Sequence, residues 1–255
     1  MGKFREDRRE KAVDRYEYNK MNYQNEIENS IKSSTIVSEI GRVTNITDKA
    51  KVGLIADGTV EAIMKFKNLD SMAVLNFASY KNPGGGFMRG AWAQEEVLCH
   101  YSTLYSVLSS QKIMKNYYEK NREDLNRGLY RSKLVFSPNI VFECNNNKKK
   151  CCVITCPAPN RGAALRGGRA TEVEVEKEMK ERIEMILSTA NIMGCKNIIL
   201  GAFGCGVFRN KSEVVAKMFK QLIDTKYSKC FEHIIFAVPR DKNFEAFEKY
   251  FTLVK

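Results

Sequence analysis

Short apolar runs alternate with amphipathic segments along most of the chain. Such alternation is typical of α/β proteins, in which helices cover the faces of a sheet of buried strands. The runs that predict strands are Thr35–Val43, Met72–Phe77, Leu134–Cys144 (interrupted at Ser137-Pro138), Cys152–Thr155, Asn197–Leu200 and His233–Val238. Between the third and fourth of these runs, Asn145–Lys150 (NNNKKK) predicts a polar hairpin turn.

Helical spacing of apolar residues marks most of the remaining segments. In the longest, Thr171 and Glu174 predict a capping box at the start and Gly194 predicts the end. The predicted helices are Thr59–Phe66, Glu96–Ser110, Thr171–Met193, Glu213–Asp224 and Phe244–Phe251. Residues 1–33 are highly charged and predict one or two surface helices packed on the domain.

The segment Asn76–Glu96 (NFASYKNPGGGFMRGAWAQEE) carries the most distinctive pattern of the chain. Its three successive glycines, Gly84–Gly86, follow a predicted strand, and Gln94–Glu96 begin a predicted helix. Glycines let the backbone approach a ligand closely or adopt a positive φ, so that their amides converge on an anion. The alternative is a flexible linker before an acidic helix start, but Phe87 and Trp92 are not typical linker residues.

Three glycines with Gln-Glu-Glu eight positions later resemble the signature of poly(ADP-ribose) glycohydrolases. The surrounding LNFASYKNPGGGF resembles the compact microbial branch of that family, which is built on a macrodomain, and so does the stretch Pro157–Asn160 (PAPN). The resemblance implies one macrodomain-like, three-layer α/β/α sandwich over residues 1–255, with a mixed central sheet and a helical extension at residues 1–33. The departures, among them Ser-Tyr-Lys at 79–81 and Cys156, do not touch the glutamate pair.

A second glycine loop, Gly201–Phe208 (GAFGCGVF), lies between a predicted strand and a predicted helix. Loops of this kind collect backbone amides at a helix N-terminus, where a diphosphate is favoured. No Gly-Lys-Ser/Thr follows, so the loop is not a Walker motif, and its position late in the chain does not fit a first Rossmann unit. It resembles the second phosphate loop of macrodomains, and Gly204 is expected to face the diphosphate. Two such loops at neighbouring strand ends predict a ligand crevice.

The resemblance implies a hydrolase that cleaves the ribose–ribose O-glycosidic bonds of poly(ADP-ribose) and releases ADP-ribose. Glu96 is then the acid/base, which protonates the leaving 2′ oxygen while an oxocarbenium-like ribose forms and afterwards takes a proton from water. Glu95 would hold ribose hydroxyls, and Gln94 would anchor the segment. Adjacent helical residues point about 100° apart, which favours two separate roles for the glutamates over a dyad that shares one proton.

The remaining expectations concern substrate contacts. The predicted substrate-binding residues are Gly84, Gly85, Gly86, Asn82, Gln94, Gly201, Gly204, Cys205, Gly206, Val207 and Phe208. Phe208 packs against the distal ribose or belongs to the core, and Cys205 is more simply a packing residue than a reactive one. Which of Ser79, Asn82 or Asn76 contacts a sugar hydroxyl stays open, with Asn82 preferred. His100 either tunes Glu96 or packs within its helix.

Composition restricts the kinds of molecule that the protein is expected to bind. A length of 255 residues with 44% hydrophobic residues suits one large α/β domain. The net charge of +12 suits a polyanion, either poly(ADP-ribose) or nucleic acid bound through a basic surface. No apolar stretch is long enough to span a membrane. The eight cysteines form no CxxC pair, and the two histidines, His100 and His233, are far apart. The sequence therefore predicts no metal site and reduced thiols in a cytoplasmic protein, and no cofactor is expected.

Two other functions fit the same residues. One is a related hydrolase that removes single ADP-ribose units from nucleic acid or protein, for which the basic charge is equally suitable. The other is a module that binds ADP-ribose without cleaving it. Binding alone needs no acid/base, so the pair Glu95-Glu96 argues against the second function.

Overall fold

The computed structural model of the protein describes residues 2–254, which form a mixed seven-stranded sheet. The strands are β1 (Thr35–Val37), β2 (Lys51–Ile55), β3 (Met72–Phe77), β4 (Leu134–Cys144), β5 (Asn147–Cys156), β6 (Asn197–Leu200) and β7 (His233–Ala237). Their order across the sheet is β1-β4-β5-β3-β6-β7-β2. The five strands from β5 to β2 in this order run parallel, while β4 is antiparallel to both β1 and β5.

Helices cover both faces of this sheet. They are α1 (Gly2–Asn22), α2 (Gln24–Ser33), α3 (Thr59–Lys65), α4 (Gln94–His100), α5 (Leu104–Leu108), α6 (Gln111–Ile113), α7 (Glu119–Glu123), α8 (Arg161–Ala164), α9 (Glu172–Ile192), α10 (Ser212–Leu222) and α11 (Lys242–Glu248). Alternate residues of β3 enter two separate cores, Ala73 and Leu75 with α9–α11 and Met72 and Val74 with α3–α5. The expected three-layer α/β/α arrangement is therefore confirmed.

The N-terminal helices α1 and α2 pack on the layer that carries α4 and α5. Asn19 is buried and donates to the carbonyl of Ser102 at 2.8 Å. The ammonium of Lys112 donates to the carbonyls of Ile31, Lys32 and Ser34 at 2.8–2.9 Å, which satisfies the free carbonyls at the end of α2. These bonds hold residues 2–33 against the sheet layer, while the division of the chain into domains stays a prediction.

Two predicted elements differ from the structure. The strand β2 was not predicted, because Lys51 and Gly53 interrupt its apolar pattern; parallel pairing with β7 makes it a strand. The prediction of a single helix over Glu96–Ser110 is wrong, since α4 and α5 are separated at Thr103. There the Thr103 amide donates to the carbonyl of Val141 in β4 at 3.0 Å, and Thr103 Oγ1 accepts from the Val141 amide at 3.1 Å.

The β4–β5 hairpin is longer than the polar run suggests. Its turn is confined to Asn145 and Asn146, which both have positive φ (48° and 63°), as two-residue hairpin turns require. Asn147–Lys150 belongs to β5 and pairs with β4. The predicted interruption at Pro138 is confirmed as a register shift between Ser137 and Ile140. The first strand is shorter than predicted and ends at Val37.

The long helix α9 begins where its sequence predicts. The Thr171 hydroxyl accepts from the Glu174 amide at 3.2 Å, and the Glu174 carboxylate accepts from the Thr171 amide at 2.8 Å, so the capping box is confirmed. Gly194 follows the helix with φ +76°. Within residues 2–254, no helix is both long and apolar enough to cross a membrane.

Candidate active site

A cavity of about 760 Å³ lies at the edge of the sheet where the parallel strands end. Its walls come from the loops after β2, β3, β5, β6 and β7. Because those strands are parallel, all five loops emerge on the same edge. The volume is within the usual range for small-molecule sites. The two glycine loops, predicted separately, contribute to one cavity.

Gln94 joins the start of α4 to the end of β3. Its side-chain oxygen accepts from the Phe77 amide at 2.9 Å, and its side-chain nitrogen donates to the Leu75 carbonyl at 2.8 Å and to the Thr59 hydroxyl at 3.2 Å. These bonds use both ends of the amide inside the protein. Gln94 thereby holds Glu95 against the cavity, whereas direct contact of Gln94 with substrate stays a prediction.

Glu96 lines the cavity with its carboxylate held at both oxygens. Oε1 accepts from the Gly86 amide at 2.8 Å, and Oε2 accepts from the Ala93 amide at 2.9 Å. The second bond closes the first turn of α4, as a glutamate at the third helical position commonly does. The side chain is 7% exposed, so its orientation is determined by two backbone groups and by burial.

Glu95 lies deeper and is held by different donors. Its carboxylate accepts from the Ser79 amide at 2.7 Å and from the Asn76 side chain at 3.2 Å. Burial is the largest influence on the pKa of Glu95 and raises it to about 8; the hydrogen bonds from Ser79 and Asn76 oppose this shift, and the charge of Glu96 adds to it. The two adjacent glutamates therefore have different environments, which fits two separate roles.

The first glycine loop packs directly against the carboxyl groups of Glu95 and Glu96. Gly85 has φ +61°, and a Cβ there would collide with Glu96 Oε1 and lie 2.9 Å from Glu95 Oε2. The Gly86 amide is already bonded to Glu96. Amides of this loop do converge on acidic groups, but these groups belong to the protein: the Gly86 amide donates to Glu96 and the Ser79 amide donates to Glu95.

The raised pKa of Glu95 predicts a specific dependence of stability on pH. Its folded value of about 8 exceeds the ordinary value of 4.5, so the folded protein holds a proton that the unfolded chain releases. This contribution to stability is complete below about pH 4.5 and is lost as the pH rises through 8. At about 1.4 kcal/mol per pKa unit, the loss over this difference of about 3.5 pKa units is on the order of 5 kcal/mol.

The measurement is the free energy of unfolding by urea from pH 5 to 9, for the wild type and for Glu95→Gln. We expect the difference between them to fall across this range, because glutamine does not titrate while all other groups are shared. A difference that does not vary with pH would mean that Glu95 titrates normally.

The second glycine loop has backbone amides free for a ligand. Within residues 2–254, the amides of Gly206, Val207 and Phe208 have no hydrogen-bond acceptor, whereas the Phe203 amide donates to the Gly201 carbonyl at 2.8 Å. A Cβ on Gly206 would meet nothing within 4 Å, so its Cα faces open space. Consecutive free amides beside a cavity are the kind of group that can bind an anion, and binding of the substrate diphosphate by this loop stays a prediction.

Several predicted binding glycines serve packing. Gly204 lines the cavity, but a Cβ there would point at the Ala158 Cβ (2.5 Å) and at Asn210 Nδ2 (2.8 Å). A side chain at this position would therefore point into the protein and not into the cavity, while contact of the Gly204 backbone with the diphosphate stays a prediction. Gly84 and Gly201 are buried behind the cavity wall. A Cβ on Gly84 would lie 2.8 Å from Tyr105 Cδ2, and a Cβ on Gly201 would lie 2.7 Å from the Ala237 carbonyl oxygen.

Cys205 also lies behind the wall, in the core beneath the second loop. Burial raises the pKa of its thiol to about 12, so the thiol stays protonated at neutral pH. The position of Cys205 supports the packing role and not a ligand contact.

Two residues at the cavity were not found from the sequence. Tyr130 lines it, contacts Phe208 edge to face at 5.8 Å and stacks on Tyr80 at 4.2 Å. Arg182 is fully buried and donates to the carbonyls of Pro157, Leu129 (3.5 Å) and Tyr130 (3.4 Å), so it holds the loops that carry the cavity wall.

A sequence signal for Arg182 did exist. The residue lies on the buried face of α9, three positions after Met179 and directly before Ile183. An arginine on such a face is uncommon unless its charge is compensated. Tyr130 carries no comparable signal, because it follows an irregular, polar segment.

The positions of Asn76, Ser79, Asn82 and His100 bear on the roles that the sequence left open. Asn82 lines the cavity, and no hydrogen bond to its side-chain amide is found within residues 2–254. Ser79 also lines the cavity, and its hydroxyl accepts from the Asn82 amide at 3.2 Å. Asn76 is fully buried and bonded to Glu95. His100 packs against the rings of Phe87 (4.7 Å) and Trp92 (5.0 Å), which fits a packed helix histidine.

No group of three or more His, Cys, Asp or Glu side chains with metal-binding geometry is found among residues 2–254. That hydrolysis proceeds without a metal stays a prediction. The chemistry that the described side chains can supply is proton transfer by a positioned carboxyl group beside an anion-binding loop.

Comparison with known proteins identifies a family and close structural relatives. The sequence profile of the family described as "Microbial-type PARG, catalytic domain" matches residues 8–143. Poly(ADP-ribose) glycohydrolase (PARG) from Thermomonospora curvata is 26% identical, with a TM-score of 0.87 over 96% of this chain and 100% of that one. PARG from Deinococcus radiodurans in complex with ADP-ribose is 31% identical, with a TM-score of 0.81 over 88% and 96%.

The Thermomonospora curvata enzyme bound to the inhibitor ADP-HPD is 25% identical in sequence, with a TM-score of 0.83 over 96% of this chain and 99% of that one. The comparison with curated proteins gives no match.

Proposed function

Because the chain belongs to the microbial-type poly(ADP-ribose) glycohydrolase family and is an enzyme of that kind, we propose that Glu96 is its acid/base. The observation that carries this assignment is the position of the Glu96 carboxylate at the cavity wall, held by the amides of Gly86 and Ala93. The three free amides of residues 206–208 border the same cavity. An anion-binding loop and a fixed carboxyl group are the two parts that ADP-ribosyl transfer to water needs.

In the proposed reaction, the bond between C1″ of one ribose and O2′ of the next breaks, and its electron pair goes to O2′. Glu96 gives its proton to that oxygen. Each Glu96 oxygen accepts one backbone N–H and keeps a second lone pair for this proton. The resulting carboxylate takes a proton from the water that attacks C1″, which returns Glu96 to its starting state.

The strand order supports one orientation of the ADP-ribose unit. Glu95 and Glu96 lie at the end of β3, the free amides follow the neighbouring β6, and β7 and β2 come next. We therefore place the scissile ribose at β3, the diphosphate at β6 and the adenosine towards β7 and β2. The diphosphate charge then lies close enough to offset the positive charge that develops on the ribose.

Substitution of Gly206 tests this placement. The residue has open space at its Cβ position and no positive φ, so Gly206→Val adds bulk beside the free amides without strain. We expect the Kd for ADP-ribose, measured by calorimetry, to rise about tenfold or more, since displacing a phosphate group loses charge-assisted hydrogen bonds. Gly206→Ala should have a smaller effect, and the melting temperature of both variants should match the wild type. Unchanged affinity in folded Gly206→Val would place the diphosphate elsewhere.

The alternative substrate is a macromolecule that carries single ADP-ribose units. The net charge of +12 suits ADP-ribosylated nucleic acid as well as the polymer. Comparing turnover of labelled poly(ADP-ribose) with that of ADP-ribosylated DNA separates the two substrates. The chain is an enzyme, so the non-catalytic alternative no longer stands; nucleic-acid binding and a cytoplasmic location stay predictions.

A further inference from the structure

A basic rim lies next to Glu96, where α1 meets the segment 87–92; it consists of Arg5, Arg8, Arg89 and Trp92. Arg5 and Arg89 line the cavity and are exposed. The guanidinium of Arg8 lies 5.8 Å from the ring centroid of Trp92. Trp92 is the single tryptophan of the chain and is 50% exposed. A half-exposed indole among arginines has no role in the chemistry described so far.

The rim is a built surface, because backbone contacts fix its parts. Arg5 Nε donates to the Arg89 carbonyl at 2.9 Å, and Arg8 Nε donates to the Gly90 carbonyl at 3.1 Å. Gly90 has φ +71°, and a Cβ there would collide with the Arg5 carbonyl oxygen. Arg89 in turn donates to the Gly85 carbonyl at 3.2 Å. The helix α1 is thereby held against the first glycine loop, which precedes the helix α4 that carries Glu95 and Glu96.

Within residues 2–254, the arginines of the rim are not paired directly with acidic side chains. No salt bridge joins Arg5, Arg8 or Arg89 to a carboxylate among the residues that the structure describes. The pKa of His100, which contacts Trp92, is lowered to about 4. Burial is the largest cause, and the positive charges of Lys11, Arg8 and Arg15 add to it. In the described part of the chain, the surface beside Glu96 therefore carries guanidinium groups without a paired carboxylate, together with an exposed aromatic ring.

We propose that this rim is a second subsite, which binds the adenosine diphosphate part of the leaving polymer unit; the proposal rests on the function assigned to Glu96 above. The leaving oxygen is the 2′ oxygen of an adenosine ribose. The adenine and the diphosphate attached to that ribose therefore lie a few bonds from the leaving oxygen, and close to Glu96. Guanidinium groups suit the diphosphate. An exposed indole suits stacking of adenine, and stacking of a base on an aromatic side chain is a common device in proteins that bind single-stranded polyanions.

The test separates polymer recognition from ADP-ribose recognition. The variants Arg5→Gln and Trp92→Ala, singly and together, are assayed for kcat and KM on poly(ADP-ribose) and for calorimetric binding of ADP-ribose. We expect KM for the polymer to rise about tenfold in Trp92→Ala, since loss of one stacked base reduces affinity by about this factor or more. A rise of similar size is expected in Arg5→Gln, which loses a charge-assisted contact with phosphate, and a larger rise in the double variant. The Kd for ADP-ribose should stay within about twofold of the wild type.

Two controls keep the test specific. Arg9→Gln removes the same charge from the same helix at an exposed position outside the cavity wall, and it should leave KM unchanged. Trp92→Phe keeps an aromatic face and should restore most of the polymer affinity. Equal effects of Arg9→Gln and Arg5→Gln would show a general charge effect, and equal losses of polymer and ADP-ribose affinity would show damage to the first site; either result overturns the proposal.

An unchanged KM for polymer in the folded double variant also overturns it. These outcomes differ from failure of the proposed function, in which the wild type itself would not cleave the polymer or would not bind ADP-ribose. If duplex DNA without ADP-ribose competes with polymer for the rim as strongly as the polymer itself, the rim binds nucleic acid in general and the proposal fails.

Discussion

Replacing Glu96 with glutamine is expected to lower turnover of poly(ADP-ribose) by about two to four orders of magnitude, the range for loss of a general acid/base. Glutamine has the size of glutamate but neither gives nor takes a proton at neutral pH. The free amides of residues 206–208 are untouched, so the Kd for ADP-ribose should stay near the wild-type value. Single-turnover kinetics and calorimetry measure the two quantities.

The structure adds a consequence for stability. Both oxygens of Glu96 accept backbone N–H groups, from Gly86 and Ala93, whereas a glutamine has one acceptor and must turn its NH₂ towards the other donor. One hydrogen bond is lost, which costs about 1–3 kcal/mol. Glu245→Gln, at an exposed first-turn position of α11 outside the cavity, is the matched control and should change neither turnover nor stability. Wild-type turnover in Glu96→Gln would remove Glu96 from the mechanism.

Gly85→Ala is expected to reduce turnover by about a hundredfold or more. A Cβ at this position collides with Glu96 Oε1 and lies 2.9 Å from Glu95 Oε2, so both carboxylates must move. A displacement of about 1 Å of a catalytic group can reduce the rate by roughly this factor. Turnover per folded molecule is the measurement, with the folded fraction determined by thermal unfolding.

The positive φ of Gly85 adds backbone strain, and a second glycine isolates that effect. Gly194 has φ +76° but has nothing within 4 Å of its Cβ position. Gly194→Ala should therefore lower stability by about 1 kcal/mol or somewhat more and leave turnover unchanged. If the two variants lose turnover equally, strain and not displacement of the carboxylates explains the loss at Gly85.

Hydrophobic patterning by itself determined the central part of the fold. Strands β3 and β6 are apolar runs because both of their faces are buried under helices. The start of α9 follows from Thr171 and Glu174, whose side chains bond to backbone groups only three positions away. Such features depend on neighbours in the chain, so residue types and spacing are sufficient to predict them.

Elements that depend on pairing with residues far away in the sequence could not be predicted from residue types and spacing. β2 contains Lys51 and Gly53 and is a strand because β7 lies beside it. The break between α4 and α5 depends on bonds between Thr103 and Val141, which are far apart in sequence. In both places tertiary hydrogen bonds override the local preference.

The site shows the same division. The sequence by itself determined that a glycine loop, a glutamate pair and a second glycine loop belong together, and from these residue types it identified the family. Only the tertiary structure decided that Gly86 bonds to Glu96, that Gly204 faces Ala158, and that Arg182 supports the cavity wall. Directions of Cα–Cβ bonds and partners of backbone amides depend on how separate loops pack against one another, and local sequence carries no record of that packing.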